Sequence, residues 1–86
     1  MWTIIFTKQA VQDAKKIKDH NWKPKVQKLL RIIETNPFQN PPHFEKLIGD
    51  LNGAYSRRII IQHRLVYQVF EDEQVVRVLR MWTHYH

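Results

Sequence analysis

Two stretches of this 86-residue chain are more polar than packing requires: Ser56-Arg57-Arg58-Ile59-Ile60-Ile61-Gln62-His63-Arg64, and the closing Thr83-His84-Tyr85-His86. Side chains alternate along a strand, so Arg57 and Arg58 must serve opposite faces. If the chain turns at Gln62-His63, Arg58 and Arg64 reach one side, and two guanidinium groups there suit a phosphate gripped from different angles. The plainer alternative is that these arginines lie along the sheet and pair with acids such as Glu45 or Asp50.

Glu45 stands alone among the acids, in Pro41-Pro42-His43-Phe44-Glu45-Lys46-Leu47. An exposed ion pair with Lys46 is its ordinary explanation. On one face with arginines and an imidazole, the same carboxylate completes a set able to cleave RNA through its own 2′-hydroxyl. One group takes the hydroxyl proton, another gives a proton to the departing 5′-oxygen, and cations hold the charge that builds on the phosphorus oxygens. That chemistry asks for no metal. His84 and His86, two residues apart, could instead be metal ligands with His43 or His63, but with no cysteine and no carboxylate at a recognised spacing no metal site is expected.

These residues must be held by elements that the hydrophobic pattern outlines. Trp2 to Phe6 reads as a strand that runs directly into a helix capped by Thr7 and spanning about Lys8 to Asp19, with Ala10, Val11, Ala14 and Ile17 as its apolar stripe. Asn21 is placed to cap a second helix with Pro24 in its first turn and Val26, Leu29, Leu30 and Ile33 buried. Pro37 stops that helix by Asn36, and Asn36-Pro37-Phe38-Gln39-Asn40-Pro41-Pro42 follows as a connector. Four β-type runs complete the chain: Phe44 to Ile48, Ala54 to Ile61, Arg64 to Phe70 and Val75 to Met81. Their turns fall at Gly49-Asp50-Leu51-Asn52-Gly53, at Gln62-His63 and at Glu71-Asp72-Glu73. The pattern predicts an α+β domain, a two-helix antiparallel hairpin on one face of a mainly antiparallel sheet. The other face is then free to carry a site rimmed by the C-terminus and the Pro-rich connector.

The totals bound the function. At 86 residues the chain is one small domain, 1–86, and with 43% hydrophobic and 26% charged residues it belongs with folded rather than disordered proteins. The absence of cysteine fits a reducing compartment, so the cytoplasm is expected. The N-terminal apolar run is three residues long, with no basic flank, so neither a signal peptide nor a membrane span is expected. A net charge of +6 favours a polyanionic or acidic partner.

The strings Leu51-Asn52-Gly53-Ala54-Tyr55-Ser56-Arg57-Arg58-Ile59 and His63-Arg64-Leu65-Val66-Tyr67, with Pro37-Phe38 and the final His84-Tyr85, resemble the YoeB/Txe family of bacterial toxins in the RelE superfamily. The resemblance runs over essentially the whole chain. It implies a RelE-like fold and a toxin of a type II toxin-antitoxin pair that cuts messenger RNA in the A site of the translating ribosome, without a cofactor. It also implies a YefM/Phd-like antitoxin as partner, a homodimer as an available state, and no membrane. Carried onto matching positions, it makes Glu45 the general base, Arg64 the phosphate-binding stabiliser of the transition state and His84 the general acid. Tyr85 would orient the nucleotide, Arg58 would be a second substrate-binding arginine, and Lys46 would assist them. The chain departs from the family pattern at Ile48, where a basic residue would align, at Trp82-Thr83 before His84, and in the extra His86. A ParE-like inhibitor of DNA gyrase, which lacks the acid, arginine and histidine set, and a plain nucleic-acid-binding module are the competing readings. Trp82 is assigned to packing.

Overall fold

The computed structural model describes residues 1–48 and 53–82. Most of the turn at 49–53, and with it Asp50, lies outside the described residues, as do Thr83, His84, Tyr85 and His86. The elements follow as β1 (Thr3–Phe6), α1 (Lys8–Ile17), α2 (Lys23–Thr35), β2 (Glu45–Lys46), β3 (Ala54–Arg58), β4 (Arg64–Phe70) and β5 (Val75–Arg80).

Thr7 performs two tasks at the junction of β1 and α1. Its backbone is extended, its hydroxyl oxygen accepts the Ala10 N–H at 3.1 Å, and its hydroxyl donates to the Leu79 carbonyl at 2.9 Å. The cap expected from sequence is present, and it also ties the start of the helix to β5. The helix buries Ala10, Asp13 and Ile17, whereas Val11 and Ala14, expected inside, are exposed. An acid has taken a place on the packed stripe, which rotates that stripe away from Val11 and Ala14.

α1 ends at Ile17, short of the expected Asp19, because the chain tightens there: His20 N–H donates to the Ile17 carbonyl at 2.9 Å. The residue that precedes α2 is Trp22, not Asn21, and it makes no side-chain cap. Burial of the Trp22 indole sets the start of this helix in place of capping chemistry. Pro24 sits in its first turn, Val26, Leu29 and Ile33 are buried, and the helix stops before Asn36 as Pro37 requires. Leu30 is half-buried rather than fully enclosed.

The five strands form one mixed sheet in the order β1-β5-β4-β3-β2, with β1 parallel to β5 and the other pairs antiparallel. β2 is reduced to Glu45–Lys46, because Phe44 leaves the ladder and lays its ring 4.9 Å from the Arg57 guanidinium. β3 stops at Arg58, short of Ile61. The Ile59 and Ile60 N–H groups both donate to the His63 carbonyl, at 2.9 and 3.2 Å, so the chain reverses around Ile61-Gln62, one residue before the expected turn. Between β4 and β5 the register slips: Val66 faces Arg80 while Tyr67 faces Val78, leaving Leu79 as a bulge residue whose carbonyl receives the Thr7 hydroxyl. Glu71 to Gln74 make the final turn, with Gln74 at φ 55°.

Leu65, Tyr67, Val76 and Val78 share one face of the sheet and meet Ala10, Ile17, Val26, Leu29 and Ile33 in a single core. Both helices therefore cover that face. Glu45, Ser56, Arg58 and Arg64 belong to the other, since Glu45 pairs with Ser56 and Arg58 with Arg64.

Replacing Thr7 by Ala removes a cap and a tie to β5 at once. The expected loss is about 1–2 kcal/mol in urea unfolding, with Thr7→Ser retaining most of it.

Candidate active site

The register gathers three of the six residues singled out from sequence. Pro42, His43, Glu45, Ser56, Arg58 and Arg64 line one cleft of about 270 Å³. Arg58 and Arg64 oppose each other directly across β3 and β4, so two guanidinium groups share the cleft with one carboxylate. Glu45 Oε1 lies 3.6 Å from His43 Nε2, and both side chains are well exposed. A water-accessible carboxylate beside paired arginines can accept a proton next to a bound phosphate, the pairing that attack on phosphorus requires.

Lys46 follows Glu45 on β2 and turns to the other face. It lines a separate cleft with Phe38, Tyr55 and the acidic turn Glu71-Asp72-Glu73. His84 and Tyr85 lie outside the described residues. His63, weighed as a metal ligand from sequence, stacks on Trp22 with ring centroids 5.2 Å apart and touches Trp82 at 4.4 Å, away from the cleft.

Arg57, next to Arg58 but facing the helices, is fully buried. Its Nε donates to the Tyr67 hydroxyl at 2.9 Å, Nη1 to the Pro42 carbonyl at 2.7 Å, and Nη2 to the carbonyls of Pro37 at 3.0 Å and Gln39 at 2.9 Å. Tyr67 in turn donates to the Pro37 carbonyl at 2.9 Å. Burial pushes the Tyr67 phenol up, and the Arg57 charge and hydrogen bond offset this only in part, so the hydroxyl stays protonated and able to donate. These bonds fix the connector over Pro37 to Pro42, and Pro42 is itself a wall of the Glu45 cleft. The alternative in which these arginines pair with Glu45 or Asp50 fails for Arg57, whose partners are carbonyls and a phenol.

A second buried charge holds the end of β5. Asp13 Oδ2 accepts the backbone N–H groups of Met81 at 2.9 Å and Trp82 at 3.2 Å, and Arg80 Nε donates to it at 3.3 Å, while Gln9 Nε2 donates to Oδ1 at 2.9 Å. Burial alone would raise the Asp13 carboxyl, but the Met81 N–H, the Gln9 amide, the Trp82 N–H and the Arg80 charge together hold it below the usual value. Sequence reading missed this residue, because an acid in a basic amphipathic helix reads as solvated. The available signal was its position between Ala10 and Ile17 on the packed stripe. Trp82 packs as expected, in a ring cluster with His20, Trp22 and His63 and with Lys16 Nζ 5.9 Å from its ring.

Comparison with known proteins agrees with this architecture. A family model described as YoeB-like toxin of bacterial type II toxin-antitoxin system matches residues 6–85. The chain is 39% identical over 61 residues to Toxin YoeB of Mycobacterium bovis, covering 71% of this chain and 69% of that protein. Its fold is similar to the YoeB-YefM complex from Staphylococcus aureus, with a TM-score of 0.82 at 34% identity and 99% of both chains covered. It is similar also to the YoeB dimer from Staphylococcus aureus, with a TM-score of 0.82 at 33% identity and 98% of both chains covered.

The Asp13 carboxylate carries a pH dependence whose sign is fixed. With its folded-state pKa lowered below 3.8, its contribution to stability is present above that value and is lost as pH falls through the folded pKa. Thermal unfolding from pH 6 down to pH 2 is expected to show a steeper acid decline for the wild-type protein than for Asp13→Asn. At pH 7, Asp13→Ala should cost about 3 kcal/mol, because buried N–H groups lose their acceptor.

Proposed function

The chain belongs to the YoeB-like toxins of bacterial type II toxin-antitoxin systems, and on that premise we propose that it is a ribosome-dependent endoribonuclease that cuts messenger RNA in the A site. The observation that carries this reading is the single cleft shared by Glu45, Arg58 and Arg64.

In this mechanism Glu45 takes the proton of the 2′-hydroxyl, and the resulting oxygen attacks the adjacent phosphorus. Arg64, with Arg58 opposite, holds the negative charge that grows on the non-bridging oxygens. The bond to the 5′-oxygen breaks as His84 supplies its proton, leaving a 2′,3′-cyclic phosphate on one fragment and a 5′-hydroxyl on the other. Tyr85 orients the nucleotide at the cut. Proton transfer by positioned groups of this kind is worth about 10²–10⁴-fold each. Lys46, on the opposite face of β2, supports binding of the substrate outside this cleft.

The net charge of +6 suits an acidic partner. The Staphylococcus aureus relative is solved in complex with YefM and as a dimer. For this chain we assign a YefM/Phd-like antitoxin whose acidic segment folds over the cleft, and a homodimer as a second assembly. The site of action is the cytoplasm.

Brief induction followed by primer extension on messenger RNA is expected to show cuts inside translated codons that vanish with His84→Ala. Glu45→Ala, Arg64→Ala and His84→Ala should each relieve growth arrest, with an unchanged circular dichroism spectrum. Full toxicity of all three variants, or failure of DNA supercoiling before translation, would overturn the assignment and point to the gyrase-inhibitor class.

A further inference from the structure

A second opening, about 510 Å³, lies beside the Glu45 cleft between α2 and the Pro-rich connector. The two are contiguous, because Pro42 and Arg58 line both. On α2, Lys25 and Lys28 are three residues apart and so project from one face of the helix toward this groove. Both are exposed. Ile32, Pro41 and Ile59 add an apolar surface, and no acid is among the lining residues.

The charge arrangement along the sheet reinforces this. Arg58 and Arg64 stand at one end of the β3–β4 hairpin, and Glu71-Asp72-Glu73 follow the far end of β4. At ~3.3 Å per residue, the seven residues of β4 put the acidic turn roughly 20 Å from the paired arginines. A polyanion is therefore drawn to the arginine end, where Lys25 and Lys28 extend the positive surface past the cleft.

We infer that this groove is the subsite for nucleotides of the substrate strand that flank the scissile phosphate, a reading that rests on the proposed nuclease function. Lys25 and Lys28 bind flanking phosphates, and the apolar wall of Ile32, Pro41 and Ile59 receives an unstacked base. Single-stranded RNA is the occupant assigned because Lys25, Lys28 and Arg58 line the groove with no acid among them, a positive track continuous with the phosphate-binding cleft, as backbone-tracking grooves for single strands are. Arg58, shared by both openings, carries the strand from one to the other.

The test uses a short single-stranded oligoribonucleotide, 2′-O-methylated throughout so that it cannot be cleaved, bound to the full chain and followed by fluorescence anisotropy over a salt series. Lys25→Gln with Lys28→Gln is expected to raise Kd about tenfold at low salt. It should also reduce the slope of log K against log salt by about 1.4, the change for two lost phosphate contacts on a single strand. Lys25→Arg with Lys28→Arg should restore both. An unchanged Kd and slope in the glutamine variant, or no binding by the wild-type protein, overturns the inference. So does a loss confined to an acidic peptide probe, which would make the groove a peptide site. Glu45→Ala separates the two readings: it tests cleavage in the cell, whereas the lysine pair tests strand binding in a system where nothing is cut.

Discussion

A buried guanidinium without an acid beside it is costly unless every donor finds an oxygen. Arg57 comes close to that condition, giving four of its five N–H groups to connector carbonyls and the Tyr67 phenol, and the Phe44 ring covers it. The connector is suited to this role because proline has no N–H, so a Pro-rich segment cannot satisfy its own carbonyls through a regular ladder. Arg57 supplies the missing donors from the sheet. A segment with no secondary structure thereby becomes a fixed wall, and the cleft that holds Glu45, Arg58 and Arg64 inherits its shape from it.

Asp13 is the counterpart at the other margin of the fold. One buried cation gathers carbonyls and one buried anion gathers N–H groups, so irregular backbone at two places is held by side-chain charge rather than by ladders. Neither residue belongs to the exposed face on which the chemistry is proposed. Charge inside sets the geometry, and charge outside meets the substrate. The neighbours Arg57 and Arg58 divide these tasks between them through the alternation of a single strand.

Much of this was legible in the sequence where the physics is local. The Thr7 cap, the stop at Asn36 and the opposition of Arg57 to Arg58 depend on neighbours a few residues away, and each is found in the structure. The grouping of Glu45 with Arg58 and Arg64 was legible through the family strings and hairpin spacing. What escaped depends on contacts distant in the chain. Asp13 is inside because of Met81 and Trp82, Trp22 begins α2 because a ring cluster buries it, and β2 is short because Phe44 is drawn to Arg57. Periodicity alone reports none of these, since it weighs apolar residues and treats an aspartate as outward-facing.

The pairing of β1 with β5 has a bearing on when the molecule can exist. Thr3 lies beside Val75, Phe6 beside Val78, and the Thr7 hydroxyl reaches Leu79, so the first strand closes on the last. During synthesis, β1 leaves the ribosome with nothing to pair with until the residues of β5 have followed it out. Contacts of such long sequence separation must bear the loop-closure entropy of nearly the entire chain before any of them forms. The sheet is therefore completed only once β5 has been made, and until then the β2–β3–β4 ladder that carries Glu45, Arg58 and Arg64 lacks the two strands that close it.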